Sequence, residues 1–324
     1  MAKVLIFGTG GVGSVYGWIL EKAGADVTVV CRTNYTVIKE NGITIRSGLF
    51  GNVHYKPNTV NSVSAAGGPF DYILVCSKAF QGSSALIQDA VSSGTAIVLA
   101  QNGIGIEEEY ADRFPGTPII SGVVYLPVTQ VALGVVEMGP LERLEVGTYP
   151  ARASAEAKAK AKLLQDLWTA GGGNCEVFED VQAQRWIKLS VNASWNPICA
   201  LSLCDDANFI RSSPEAIDMI RKVMAEVGQV AAAAGYPGLV DGAIEEHLSR
   251  SKRRLEAGGK DPSMLTDARN GRPMEVEVII GNTVGIARKL GVNVPYLEML
   301  LTLARGLNFA ITRPEGWKPV ATVV

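Results

Sequence analysis

Histidine and cysteine are scarce in this chain, and their scarcity excludes much. Only two histidines, His54 and His247, occur in 324 residues. That is too few for a His-rich metal site, so acid–base chemistry is expected to rest on other groups. The five cysteines, at 31, 76, 175, 199 and 204, are odd in number and never spaced as CxxC. This spacing argues against a disulfide framework or zinc site and for a reducing compartment. An excess of one charge is also lacking: the formal net charge is -2, so no nucleic-acid or membrane partner is expected. No run approaches the roughly 18 uncharged apolar residues of a membrane span. The apolar start MAKVLIF runs directly into glycines, without the cleavage pattern of a signal peptide. A soluble, unprocessed, cytoplasmic protein is expected.

What is present describes a compact protein: 47% hydrophobic and 19% charged residues, in a chain long enough for two domains. The first third alternates strands and helices: strands over 3–7, 26–31, 71–76 and 95–100, with a helix over 12–22 between the first two. This alternation predicts an α/β fold with a doubly wound, Rossmann-type sheet. Pro118 to Tyr125, Val135-Val136 and Leu144 to Val146, with a turn at Gly139-Pro140, read as an antiparallel extension of that sheet. A helix over 152–168 and a strand over 175–178 follow. Beyond Val181 only helices are expected, over 181–203, 214–235, 241–257, 273–290 and 295–311. The domains are thus 1–180 for a Rossmann domain and 181–324 for a second, all-α domain.

Gly8-Thr9-Gly10-Gly11-Val12-Gly13 fits GxGxxG and stands between a strand and a helix, the context a dinucleotide site requires. Gly8 permits the turn, Gly10 lets a pyrophosphate approach, and Gly13 lets the helix pack on the strand. Phosphates would meet the N–H groups that open the helix. The second strand ends in Cys31-Arg32, where NAD sites carry an acid. Arg32 suits a 2′-phosphate, so NADPH is the expected cofactor. Ser77-Lys78 and Gln101-Asn102-Gly103 follow two further strands, at the sheet end where ligands of such folds sit.

In the second half, Lys188, Asn192 and Asn196 recur every four residues and form one polar stripe on an otherwise apolar helix. Asparagine forms helices poorly, so two of them there point to a wet, functional face. Pro197 interrupts the following turn. A second polar cluster is Pro262-Ser263-Met264-Leu265-Thr266-Asp267, followed by Gly271-Arg272-Pro273-Met274-Glu275. By position alone, Ser263 reads as an N-cap and Glu275 as a first-turn acid.

Taken together, GTGGVGS, Arg32, Ser77-Lys78, Gln101-Asn102-Gly103-Ile104-Gly105, Lys188-Leu-x-x-Asn192-x-x-x-Asn196-Pro197, Ser263-Met-Leu-x-Asp267 and Gly271-Arg272 leading to Glu275 resemble the ketopantoate reductase family. The resemblance covers nearly the whole chain. It implies a substrate cleft between the two domains and hydride transfer from NADPH to the 2-oxo carbon of 2-dehydropantoate. By the same resemblance Lys188 protonates the forming alkoxide, and Glu275 binds the product hydroxyl and orients the lysine. Asn192, Asn196 and Ser263 then contact substrate; Gly8 to Gly13, Arg32, Lys78 and Asn102 contact cofactor. Met274, Glu277 and Asp206 depart from the family's usual residues and bear on which substrate is used. Another 2-oxo acid, ketone or imine, or a non-catalytic NADP(H) sensor, are the alternatives. A homodimer is compatible with the apolar helices.

Overall fold

The computed structural model of the protein describes residues 1–313; residues 314–324 of the expected second domain lie outside that range. The chain divides into two compact units between Arg185 and Trp186.

The first unit contains, in order, β1 (Lys3–Phe7), α1 (Gly11–Lys22), β2 (Asp26–Val30), α2 (Tyr35–Asn41), β3 (Ile43–Ser47), β4 (Gly51–Tyr55) and β5 (Asn58–Val60). There follow β6 (Tyr72–Val75), β7 (Ala96–Leu99), α3 (Glu107–Arg113), β8 (Ile119–Tyr125), β9 (Val128–Ala132), β10 (Val135–Met138), β11 (Arg143–Tyr149), α4 (Ala155–Ala170) and β12 (Cys175–Val177). The main sheet runs β12-β11-β8-β7-β6-β1-β2-β5. It is parallel except where β11 meets β8. All four residues of β6 and of β7 are buried, as expected of strands covered on both faces. From β1 the chain winds outward to β2 and β5, then returns to place β6 on the other side of β1. Strand order therefore reverses at β1/β6, the position where open α/β sheets leave a crevice.

One expectation is corrected. Val135-Val136 does not extend the main sheet. It lies in β10, which pairs with β9 and with β3 in a separate four-stranded sheet, β4-β3-β10-β9. Its partner β3 lies far back in the chain, so no local turn signal announces the pairing. The antiparallel addition to the main sheet is β11 alone.

The β1–α1 turn is set by two close approaches. Gly8 has φ +99°, and a Cβ there would stand 2.5 Å from the backbone nitrogen of Ser77. A Cβ on Gly13 would stand 2.2 Å from the carbonyl oxygen of Gly8. Gly10 differs: a Cβ there would meet nothing within 4 Å.

The second unit is helical. The helix α5 (Val181–Ser202) begins before the division and continues through Pro197. It is followed by α6 (Asp206–Ser212), α7 (Ala216–Ala233), α8 (Asp241–Ala257), α9 (Ser263–Arg269), α10 (Asn282–Leu290) and α11 (Pro295–Thr312). Among the described residues of this unit there is no strand. The helix expected over 273–290 begins only at Val276, and its first full turn, Glu277–Gly281, is π-helical. Pro273 cannot donate a helical hydrogen bond and holds its predecessor extended. The short α6 and α9 have no periodic pattern in the sequence, although Ser263 marks a helix start near α9. Each holds only seven residues, too few for a helical periodicity to register.

Alanine at position 13 gains helix propensity, yet its methyl has no room. Gly13→Ala should lower stability by about 1–3 kcal/mol, the usual scale of overpacking. Gly10→Ala should leave the ligand-free protein within about 0.5 kcal/mol of wild type. Thermal or urea unfolding of the two variants checks this; equal stabilities would refute the packing role of Gly13.

Candidate active site

At the carboxyl ends of β1, β2 and β6 lies an open groove of about 530 Å³ within the first unit. Gly8, Thr9, Gly10, Arg32 and Lys78 line it, as do Asn34, Ser77 and Phe80. Five residues expected to hold cofactor thus share one surface. Gly11, Val12 and Gly13 form the first turn of α1, which has no side-chain cap, so its leading N–H groups lack a partner within the helix. Asn102 follows β7 and is half-buried. None of the described residues lining the groove is acidic. Arg32 is exposed and Lys78 half-buried.

The glycine turn is fastened by side chains. The Thr9 hydroxyl donates to the Val30 carbonyl at 3.0 Å, and the buried Asn34 amide donates to the Thr9 carbonyl at 2.6 Å. The Glu109 carboxylate accepts the backbone N–H of Gly82, which lines the groove, at 3.0 Å and that of Ser84 at 2.7 Å. Burial pushes the Glu109 carboxyl up. Bonds from Ser84 and Gly82, with the charge of Arg113, outweigh it and leave the group below the usual carboxylate range. The Cys76 thiol, just before Ser77, is pushed far up by burial, so it stays a neutral thiol rather than a nucleophile at pH 7.

The turn after β7, the start of α3 and strand β8 converge on one buried cation that the sequence does not single out. Arg185, in the first turns of α5, is 3% exposed, and Glu107 is 0% exposed. Arg185 Nε lies 2.7 Å from Glu107 Oε1 and donates to Ser121 Oγ at 2.6 Å. Its Nη1 donates to the carbonyls of Gln101 (3.1 Å) and Gly103 (3.0 Å), and its Nη2 to that of Gly122 (3.0 Å). Gln101 in turn donates from its side chain to the Ser77 carbonyl at 2.8 Å. A charged arginine three residues before Lys188 was the only available signal.

In the second unit, Lys188 and Asn192 are half-buried and Asn196 is buried. They share one face of α5. Asn196 and Ser263 come together: the Ser263 hydroxyl and the Met264 N–H both donate to Asn196 Oδ1 at 3.3 Å. Ser263 is therefore not an N-cap. Pro262 holds that position, and Asn196 supplies the capping oxygen from another helix. Glu275 is 8% exposed and precedes the π-helical turn. Its neighbour Met274 is 2% exposed, with its N–H donating to the Asn308 side chain at 2.9 Å. Glu277 is turned outward to Arg305, which donates to its two oxygens at 2.8 and 2.6 Å. Asp206 accepts the Lys260 N–H at 2.7 Å and so holds the segment leading to Ser263.

Comparison with known proteins agrees with this architecture. The model of the family ketopantoate reductase PanE/ApbA matches residues 4–151, and that of its C terminal matches residues 180–308. A 2-dehydropantoate 2-reductase from Nostoc sp. is 28% identical over 302 residues, covering 92% of each chain. The crystal structure of 2-dehydropantoate 2-reductase from Methylococcus capsulatus is similar with a TM-score of 0.84 and 34% identity, over 97% of this chain and 99% of that one. The corresponding structure from Geobacter metallireducens gives a TM-score of 0.86 at 30% identity, over 94% and 99%. With its Rossmann-type sheet, its helical second unit and both matching segments, the chain belongs to the ketopantoate reductase family of oxidoreductases.

Proposed function

We propose that this protein reduces 2-dehydropantoate to D-pantoate with NADPH, and that Lys188 is the proton donor. Family membership makes it a 2-dehydropantoate 2-reductase or a related 2-oxo acid reductase with a nicotinamide cofactor. In this reading residues 1–180 bind the nucleotide and those from 181 onward carry the catalytic groups.

The observation that carries the choice of NADPH is the groove's charge: Arg32 and Lys78 line it, without an acid among the described lining residues. A carboxylate at the end of β2 would repel a 2′-phosphate, whereas a guanidinium pairs with it. The open space over Gly10 and the uncapped start of α1 fit a pyrophosphate. Gly8 to Gly13, Arg32, Lys78 and Asn102 are the residues that would hold the nucleotide. Bound there, it supplies a hydride to a carbonyl carbon.

The chain's own task is then to manage charge on the carbonyl oxygen. The Lys188 ammonium stabilises the negative charge that develops there and gives up a proton to it. Glu275 receives the hydroxyl so formed and orients the ammonium. Asn192 and Ser263 bind the carboxylate and polar tail of the substrate. Asn196 commits its carbonyl oxygen to the start of α9 and offers its amide N–H groups. A second reading, another 2-oxo acid with a more apolar tail, is favoured by Met274, buried beside Glu275 where the family often carries threonine.

NADPH oxidation against a panel of 2-oxo acids tests the substrate. Fastest turnover with 2-dehydropantoate is expected; turnover only with other carbonyls would select the second reading, and binding without turnover would leave a nucleotide sensor. In the same assay Lys188→Ala should depress kcat by a factor of at least ~100, the scale of losing a general acid, with NADPH affinity nearly kept. Wild-type kcat in that variant would remove Lys188 from the mechanism. Arg32→Ala should weaken NADPH far more than NADH in equilibrium titrations; equal losses would reject the 2′-phosphate assignment.

A further inference from the structure

We propose that Arg185 is a positioning residue for the nucleotide: its buried guanidinium holds in register the two loops that carry Asn102 and Lys78. This inference rests on reading the groove as a nicotinamide-dinucleotide site.

Burying the Arg185–Glu107 ion pair is costly. A guanidinium and a carboxylate that are both buried lose their hydration, and their mutual attraction repays that loss only when the remaining donors and acceptors are satisfied. On the arginine side this condition is met, whereas Glu107 Oε2 has no hydrogen-bond partner among the described residues. Besides Glu107, Arg185 engages Ser121 Oγ and the carbonyls of Gln101, Gly103 and Gly122, all within 3.1 Å. Ser121 and Gln182 add further bonds to Glu107 Oε1, at 2.5 and 2.9 Å. Burial pushes the guanidinium pKa down and the Glu107 charge opposes it, so the pair is one unit.

What the guanidinium grips is informative. The carbonyls of Gln101 and Gly103 flank Asn102 on both sides, so the backbone on either side of Asn102 is clamped by one rigid planar group. The Gln101 side chain carries the restraint onward to the Ser77 carbonyl at 2.8 Å. Ser77 precedes Lys78, and its N–H donates to the Phe7 carbonyl at 3.1 Å, just before Gly8. A continuous series of hydrogen bonds thus joins Arg185 to three cofactor elements: the Asn102 turn, the Lys78 loop and the glycine turn. A hydrophobic core would have secured α5 and α3 at lower cost. A fork of donors aimed at the two turn carbonyls that flank Asn102 secures loop geometry, which apolar packing does not. Lysine cannot substitute, because its donors radiate from one nitrogen and do not span the separated carbonyls.

The experiment measures dinucleotide binding directly, by titration of NADPH and NADH fluorescence, beside thermal unfolding of the same samples. Arg185→Lys keeps a cation beside Glu107 but loses the fork. The double variant Arg185→Met with Glu107→Gln removes both charges together and avoids a lone buried carboxylate. In a cooperatively melting variant, Kd should rise about tenfold, the scale of one lost hydrogen-bonding contact, and by the same factor for NADPH and NADH. A uniform loss separates this role from that of Arg32, whose removal discriminates between the two. Wild-type affinity in either folded variant overturns the proposal, as does a loss confined to NADPH. Loss of the fold in both variants also overturns it, because the role would then be structural alone. A wild-type protein that binds neither dinucleotide refutes the underlying nucleotide reading instead.

Discussion

Two backbones run close together at the carboxyl end of β1, and the geometry of the glycine turn follows from how closely they do so. Ser77 donates its N–H to the Phe7 carbonyl at 3.1 Å. That bond leaves only glycine admissible at position 8, where φ is +99° and any Cβ would lie 2.5 Å from the Ser77 nitrogen. The turn so formed can lead into a helix only if α1 also comes close, which is the requirement met by Gly13. β1 lies beside β6, with β2 on its other side. The crevice at this reversal of strand order is a consequence of winding, and Arg32 and Lys78 are among the residues that line it.

Distant side chains finish what local sequence leaves open, and this recurs in both units. Helix α9 receives its capping oxygen from Asn196. Helix α11 receives two from Glu226 of α7, which accepts the N–H groups of Tyr296 at 3.0 Å and Leu297 at 2.8 Å. Burial raises the Glu226 carboxyl against the lowering effect of those N–H groups. Glu142 behaves similarly, accepting from Trp168 Nε1 at 3.1 Å and from the Asn174 N–H at 2.6 Å, and burial pushes it up too. Each acid meets donors that would otherwise be buried unsatisfied. Such contacts rigidify loops without adding apolar area.

Legibility in the sequence followed burial. β1, β2, β6 and β7 are apolar runs buried on both faces, and their outlines are plain in the residues. β4 and β9 are half-exposed or exposed along most of their length. Without a buried face they carry no clear alternation of apolar and polar residues, and nothing local announces the second sheet. Among candidate site residues, the glycine motif and the stripe of Lys188, Asn192 and Asn196 are visible because each rests on short spacing. Asn34, Glu109 and Arg185 are not, because an isolated polar residue reads the same whether it faces water or a buried carbonyl.

The chain's residues determined by themselves the alternation of strands and helices, the glycine turn, the basic end of β2 and the polar face of α5. All of these are energies of a few neighbouring residues, and they exist before the chain folds. Tertiary structure alone decided that β10 joins β3, that Ser263 leans on Asn196, that Glu277 faces Arg305, and that Arg185 closes on Glu107. Those contacts join residues far apart in sequence. Burying a polar group is unfavourable until its partner arrives, so each choice acquires an energy only in the folded protein.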